Sequence, residues 1–253
     1  MSHTIPTRTR IRKRGLASWA ADLIWPPRSL LSEARVDRPG VIEPALWGEL
    51  KFLGAPQCAC CGFPLPSDEG PQASCAACLS DKPAYDTARA ALAYDEHARK
   101  LVLDLKRGGR RDGLPVFARW MAAAGRDALA QADFLAPAPM HWTRLAARSF
   151  NQAAWLAQAL SRQAGKPWQP GALTRIKRRK SQAGLSASER RRNVGGAIKA
   201  SARFEGKIIV VVDDVFTTGA TLEACARALL KTGAAEVHGL TLARVVRPTD
   251  ITL

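Results

Sequence analysis

The stretch from Ile208 to Leu222, IIVVVDDVFTTGATL, constrains this chain more than any other. The five apolar β-formers Ile208 to Val212 run into two adjacent carboxylates, Asp213 and Asp214. Val215 and Phe216 follow, then the hydroxyl- and glycine-rich run Thr217-Thr218-Gly219-Ala220-Thr221. An unbroken apolar run bounded by turn chemistry predicts a strand buried on both faces of a parallel sheet. Beyond it Leu222, Cys225, Ala226 and Leu229 recur at helical spacing, so the expected order is buried strand, small polar loop, helix start.

That order sets up a chemistry. The first N–H groups of a helix have no partner within it and suit a phosphate, and Gly219 would let backbone approach one closely with φ > 0. Two acids ending a buried strand are costly unless something pairs with them. Ribose hydroxyls, Mg²⁺ or both would do so. The plainer alternatives are an ATPase strand followed by acids, or a capped strand–turn–helix. A P-loop needs G-x-x-x-x-G-K-[ST], and neither Gly165-Lys166-Pro167 nor Gly206-Lys207-Ile208 supplies it.

The length suffices for one sizeable domain and something small beside it. The formal net charge of +16 predicts attraction to polyanions. No run approaches the roughly 18 apolar residues of a membrane-crossing helix. Before the first acid, Asp22, the chain carries Arg8, Arg10, Arg12, Lys13 and Arg14. Asp22, Pro26-Pro27 and the lack of an A-x-A site speak against an export signal. Residues 1–46 are expected to form a basic, weakly ordered arm, and a cytoplasmic location is expected for the whole. An arm that touches nucleic acid or a partner is the functional alternative.

Five of the six cysteines fall between Cys58 and Cys78. Cys58, Cys61, Cys75 and Cys78 form two C-x-x-C pairs, each able to turn two thiolates toward one point. Four sulfurs would complete a closed structural Zn²⁺ site, a zinc finger over 47–84. Disulfides are the rival reading, but cytosolic thiols stay reduced. Cys60 is spare and could replace Cys58 if the knuckle register differs, while Cys225 reads as a small core residue.

Through the middle of the chain, Ala90 to Tyr94 suggests a short strand and His97 to Leu105 a helix stopped by Gly108-Gly109. Lys106 and Arg107 at its end serve either the helix dipole or a site. Leu114 to Leu129 reads as one helix. Asp133 to Met140 reads as a strand that runs out at Pro137 and Pro139. Asn151 is the expected N-cap of a helix over Gln152 to Gln163 with the apolar stripe Ala153, Leu156, Ala157 and Leu160. Arg144 and Arg148 precede that helix and offer a second anion site. From Thr174 to Asn193 the chain has eight cations (Arg175, Lys177, Arg178, Arg179, Lys180, Arg190, Arg191, Arg192) against the single acid Glu189. Ser186 to Glu189 has capping-box spacing within it.

Taken together, these motifs resemble the ComF family of competence proteins: a four-cysteine zinc finger followed by a type I phosphoribosyltransferase domain. The resemblance runs from about Leu46 to Val246. It rests on Cys58-x-x-Cys61-Gly62 with Cys75-x-x-Cys78, Leu105-Lys106-Arg107-Gly108-Gly109, and Pro137-Ala138-Pro139-Met140-His141. It also rests on Arg148-Ser149-Phe150-Asn151-Gln152, Ser181-Gln182-Ala183-Gly184-Leu185-Ser186 with Glu189-Arg190-x-x-Asn193, and the signature from Val212 to Thr221. Two departures are Phe216, where an aliphatic residue is usual, and Ser149, where the family usually has Gly.

The resemblance implies an α/β fold, a central parallel sheet flanked by helices, over 85–253. It implies that Asp213, Asp214, Thr217, Thr218, Gly219, Ala220 and Thr221 bind phosphoribosyl pyrophosphate (PRPP) or another ribose 5-phosphate compound with Mg²⁺. Asp213, Asp214 and Arg148 would serve any catalysis. A hood loop over 175–193, with Arg178, Arg179, Lys180, Gln182 and Arg190, would cover the site or bind single-stranded DNA. The family is linked to DNA uptake in natural transformation, so uptake or helicase proteins are expected partners. An active phosphoribosyltransferase of nucleotide metabolism or salvage, its acceptor unidentified, is the alternative.

Overall fold

A computed structural model of the chain describes residues 26–107, 110–140, 150–176 and 197–246. At its centre lie four parallel strands, β1 (Thr87–Ala93), β2 (Phe134–Pro137), β5 (Ile208–Phe216) and β6 (Glu236–Arg244), in the order β1-β6-β5-β2. A separate antiparallel pair, β3 (Leu173–Arg175) and β4 (Ile198–Ala200), stands apart from the sheet. Val212 of β5 lies between Pro137 and Leu240, so the signature strand is flanked by strands on both sides, as its unbroken apolar run predicts. Ala138 extends that ladder by donating to the Val212 carbonyl at 2.8 Å.

Side-chain alternation divides the strand between two cores. Val210 and Val212 face α3 (Glu96–Lys106), α4 (Leu114–Ala124) and α6 (Gln152–Ala164), together with Leu240 and Leu242 of β6. Ile209 and Val211 face α7 (Ala220–Leu230) with Val237. The outer edges are covered: Leu53 donates to Ala91 and Ala93 to Lys51 along β1, while Leu135 of β2 donates to Pro167. Covering satisfies backbone groups that would otherwise invite foreign strands.

Several expectations shift. The single helix expected from Leu114 to Leu129 is two, α4 and α5 (Arg126–Gln131), broken at Gly125. A Cβ at Gly125 would stand 2.6 Å from Leu240 Cδ2, so the chain passes β6 there without a side chain. The first strand begins at Thr87 rather than Ala90, and β2 stops at Pro137.

Of the expected arm, residues 1–25 lie outside the described residues, but its remainder is anchored. Leu30, Leu31 and Ile42 are buried in the core with Phe117 of α4, and Arg110 donates to the Arg28 carbonyl at 2.8 Å. Leu50, expected within the finger, also joins that core. The short helices α1 (Pro44–Trp47) and α2 (Ala76–Ser80) flank the cysteine segment.

Asn151 caps α6 as expected, its side-chain oxygen accepting from the Ala153 N–H at 3.0 Å. Its amide also donates to the Ala138 carbonyl at 3.1 Å, tying the helix start to the end of β2. Asn151→Ala is expected to cost about 1–2 kcal/mol in chemical denaturation, and Asn151→Asp, which keeps only the cap, a smaller amount.

Candidate functional site

Asp213 and Asp214 follow the apolar run of β5, and the alternation that splits the core also splits them. Asp214, 6% exposed, points to the α3/α6 side. There its Oδ2 receives Lys106 Nζ at 3.1 Å and Gln152 Nε2 at 2.8 Å. Asp213, half-buried, lies toward α7 and Cys225 and accepts the Asp214 N–H at 2.8 Å. Its carboxyl is pushed up to about 7 by burial and by the adjacent Asp214 charge.

Beyond the strand, Thr217 and Thr218 are exposed and Gly219 takes φ +76 as the N-cap of α7. A Cβ there would stand 2.8 Å from the Phe216 ring, so the position excludes a side chain on two counts. No side chain caps this helix start; the nearest approach is Ala220 N–H to Thr218 Oγ1 at 3.5 Å. A depression on the α7 side is lined by Asp213, Thr217, Gly219 and Thr221, with Ala138 and Thr241 behind them. One carboxylate, three hydroxyls and open helical N–H groups therefore share one concavity. That set can hold an anion beside a polyol or a divalent cation.

The second cluster is the cysteine centre. The sulfurs of Cys58, Cys61, Cys75 and Cys78 lie within 4.8 Å of one another, and Cys61 Sγ is 3.6 Å from Cys75 Sγ. Sulfurs at tetrahedral corners about 2.3 Å from a zinc would be about 3.8 Å apart. The Cys61 N–H points at Cys58 Sγ at 3.4 Å, and Gly62 turns the knuckle with φ +69, its missing Cβ leaving room for the Ala88 carbonyl. Burial and then the charges of Cys61, Cys60 and Cys58 push the Cys78 thiol well up; a divalent cation would remove that cost. These four residues could hold a metal ion. Cys58 rather than Cys60 completes the set, and Cys60 instead offers its carbonyl to the Ala88 N–H at 2.7 Å.

Of the other expected site residues, Arg148, Arg178, Arg179, Lys180, Gln182 and Arg190 lie outside the described residues. Arg175, which opens the expected hood, ends β3. Residues that the sequence left undecided or unremarked now join the site. Lys106, poised between helix dipole and site, reaches Asp214. Gln152, buried at the first turn of α6, does the same. Its position beside the N-cap, within the motif Arg148 to Gln152, was the available signal.

Known proteins share much of this sequence. Residues 150–249 match the family model of the phosphoribosyl transferase domain. The chain is 31% identical over 194 residues to the DNA utilization protein YhgH of Escherichia coli O157:H7, covering 75% of this chain and 84% of that protein. With Competence protein F of Haemophilus influenzae it shares 32% identity over 197 residues, covering 75% and 85%. This chain belongs to the ComF family. Among solved structures it is similar to glutamine PRPP amidotransferase from B. subtilis, with 22% identity over 55% of this chain and 30% of that one and a TM-score of 0.35.

The ComF-family chain thus has the type I phosphoribosyltransferase fold, with four cysteines clustered ahead of it. Among the described residues no helix is long and apolar enough to cross a membrane. The raised Asp213 carboxyl has a measurable consequence. Between the ordinary carboxylate pKa near 4 and about 7 the folded state holds a proton that the unfolded state has lost. Stability should therefore fall as pH rises across that window, with a slope of up to about 1.4 kcal/mol per pH unit, and level off above it. Asp213→Asn should remove this component from denaturation curves taken between pH 4 and 8.

Proposed function

We propose that the depression at the end of β5 binds the 5-phosphoribosyl group of PRPP, or another ribose 5-phosphate compound, together with Mg²⁺. The observation that carries this is the meeting of Asp213, the Thr217–Thr221 loop and the uncapped start of α7 in one concavity. The phosphate would sit on the loop N–H groups and threonine hydroxyls. The sugar hydroxyls would reach Asp213, whose neighbour Asp214, held by Lys106 and Gln152, fixes the strand end behind it. Mg²⁺ when bound would neutralise diphosphate charge. If transfer occurs, an acceptor displaces pyrophosphate at C1, and the chain's own part is positioning and electrostatics, a part in which the family resemblance includes Arg148.

Calorimetry tests this directly. PRPP should bind with Mg²⁺ dependence, and both Asp214→Asn and Gly219→Val should abolish the signal. Because the ionised form of Asp213 is the one that can receive a cation, affinity should rise as pH passes upward through about 7. Undiminished binding in both variants would place the site elsewhere. A pyrophosphate-release screen over bases and amines then separates an active transferase of nucleotide salvage from a binding protein.

A second reading, binding of single-stranded DNA, is favoured by charge. Eight cations against one acid between Thr174 and Asn193, on a chain of net charge +16, exceed what solubility requires. The relatives named for DNA utilization and competence support the same direction. Log affinity should fall with log salt at a slope of about −0.7 for each phosphate neutralised. Replacing Arg178, Arg179 and Lys180 together should flatten that slope by about two units, and an unaltered slope would remove this run from DNA binding. Uptake or helicase proteins in the cytoplasm are the partners this reading implies.

For the cysteine centre we propose a structural Zn²⁺. Protein purified without chelator should carry one zinc per chain, and Ser at position 58, 61, 75 or 78 should lower metal content and loosen the segment around it. Metal analysis without zinc would overturn the assignment.

A further inference from the structure

The cysteine centre and the Thr217–Thr221 loop are joined by a series of buried contacts. Arg244, the last residue of β6, is 6% exposed. Its guanidinium donates to the Cys61 carbonyl, within the first knuckle. The guanidinium carbon lies 4.5 Å from the centroid of the Phe216 ring and 5.3 Å from that of Phe63. The Phe216 ring occupies the space that a side chain at Gly219 would need. Knuckle carbonyl, guanidinium, aromatic ring and loop glycine therefore stand in sequence.

A buried guanidinium requires a counter-charge. Among the described residues no carboxylate forms an ion pair with Arg244, and its Nε has no hydrogen-bond partner. The opposite charge within reach is the one the clustered cysteine sulfurs carry when they hold a metal, since Arg244 sits on the Cys61 carbonyl. Four thiolates around a divalent cation form a dianion. A second guanidinium, that of Arg89, faces the same knuckle through the carbonyls of Ala59 at 2.9 Å and Cys60 at 3.4 Å. Among the described residues no hydrogen bond or ring contact joins Arg89 to Phe216 or the loop. The two arginines thus share the centre, but Arg244 alone of the pair reaches the loop side.

We propose that Arg244 is a positioning residue that couples metal occupancy to the conformation of the phosphate loop. With the dianion formed, Arg244 is held between Cys61 and Phe216, and the ring supports Gly219 in its positive-φ conformation. With the metal removed, Arg244 loses its counter-charge, the ring loses its support and the loop loosens. The inference rests on the phosphate reading for its ligand consequence, but not for its mechanical one.

The test uses the full chain with two readouts: hydrogen exchange of the peptide covering 216–222, and affinity for ribose 5-phosphate with Mg²⁺. A zinc-selective chelator removes the metal. In the wild type, metal removal should raise loop exchange and weaken ribose 5-phosphate by about tenfold; by linkage, saturating ribose 5-phosphate should tighten zinc by the same factor. Arg244→Met, similar in reach but uncharged, should show the loosened loop and weak ligand with zinc bound, and no further change on its removal. Arg89→Met should lose zinc more readily yet match the wild type in both readouts once saturated with zinc. Phe216→Leu keeps the Arg244–Cys61 contact and should uncouple the loop as Arg244→Met does, which guards against a variant that fails to fold. Wild-type loop exchange that ignores the metal, or zinc-loaded Arg244→Met and Phe216→Leu proteins with wild-type loop exchange, would overturn the proposal. Loop exchange that follows the metal in a wild type without affinity for ribose 5-phosphate would overturn the phosphate reading and leave the coupling standing.

Discussion

A carboxylate at the end of a strand covered on both faces has to find donors or positive charge nearby, and β5 ends in two of them. The pleat sends neighbouring side chains to opposite faces, so the two acids face different surroundings. Asp214 turns into the α3/α6 side and is satisfied by Lys106 and Gln152. Asp213 turns toward the open depression and keeps a raised carboxyl, because burial and the fixed charge of Asp214 both oppose its ionisation. The fold has settled one charge and left the other wanting a cation or hydroxyls. Placing Asp214 in a finished ion pair is what makes Asp213 responsive, since a fixed negative neighbour raises the gain from any cation that arrives.

The cysteine segment is too small to have a core of its own, and it does not try to make one. Cys58, Cys61, Phe63 and Tyr85 are buried in the same cluster as Phe216, Leu222 and Leu229. Tyr85 meets Phe216 edge-on with ring centroids 6.3 Å apart, and the Ala84 N–H donates to Glu223, in the first turn of α7, at 2.7 Å. Folding free energy released by a metal at the cysteines would therefore be delivered to the helix and strand that frame the loop. Phe216, bulkier than the aliphatic residue usual at its position, fits this arrangement: only an aromatic face offers a surface to Arg244 on one side while filling the space left by Gly219 on the other.

What was legible in the sequence is what local pattern encodes. The apolar run of β5, the glycine of its loop, the Asn151 cap and the stripe on α6 each arise from a few neighbouring residues, and all are present. The spacing of the cysteines picked out the four that cluster, and the structure puts Cys58 rather than Cys60 among them. What was not legible depends on partners far apart in the chain. Nothing near Lys106 announces Asp214, so its place at a helix end left dipole and site equally open, and nothing near Arg244 announces Cys61. The break at Gly125 was missed for the same reason, since the obstacle is Leu240 on another strand. Residues 26–46 read as an arm because their apolar residues are sparse and irregular, yet Leu30, Leu31 and Ile42 find a common core through contacts that no periodicity records.

The carboxyl ends of the strands draw these threads together. In open α/β sheets ligands bind beyond those ends, and here three of the four are tied to flanking segments: Ala138 after β2 by Asn151, Asp214 of β5 by Lys106 and Gln152, and β6 through its own Arg244 to Cys61. The ties fix where the connecting segments start and finish. Lys106 closes the helix ahead of Arg107, Met140 and Phe150 bracket a stretch holding Arg144 and Arg148, and Arg175 leads into Lys177 to Arg192 with its seven cations. Arg175 is close enough for its charge to act on Cys225, the buried neighbour of Asp213. Such a charge near the strand ends favours a polyanion over a neutral ligand. The acids at the end of β5 offset part of it, so the proposed anion site falls at the open N–H groups of α7 and not beside the carboxylates.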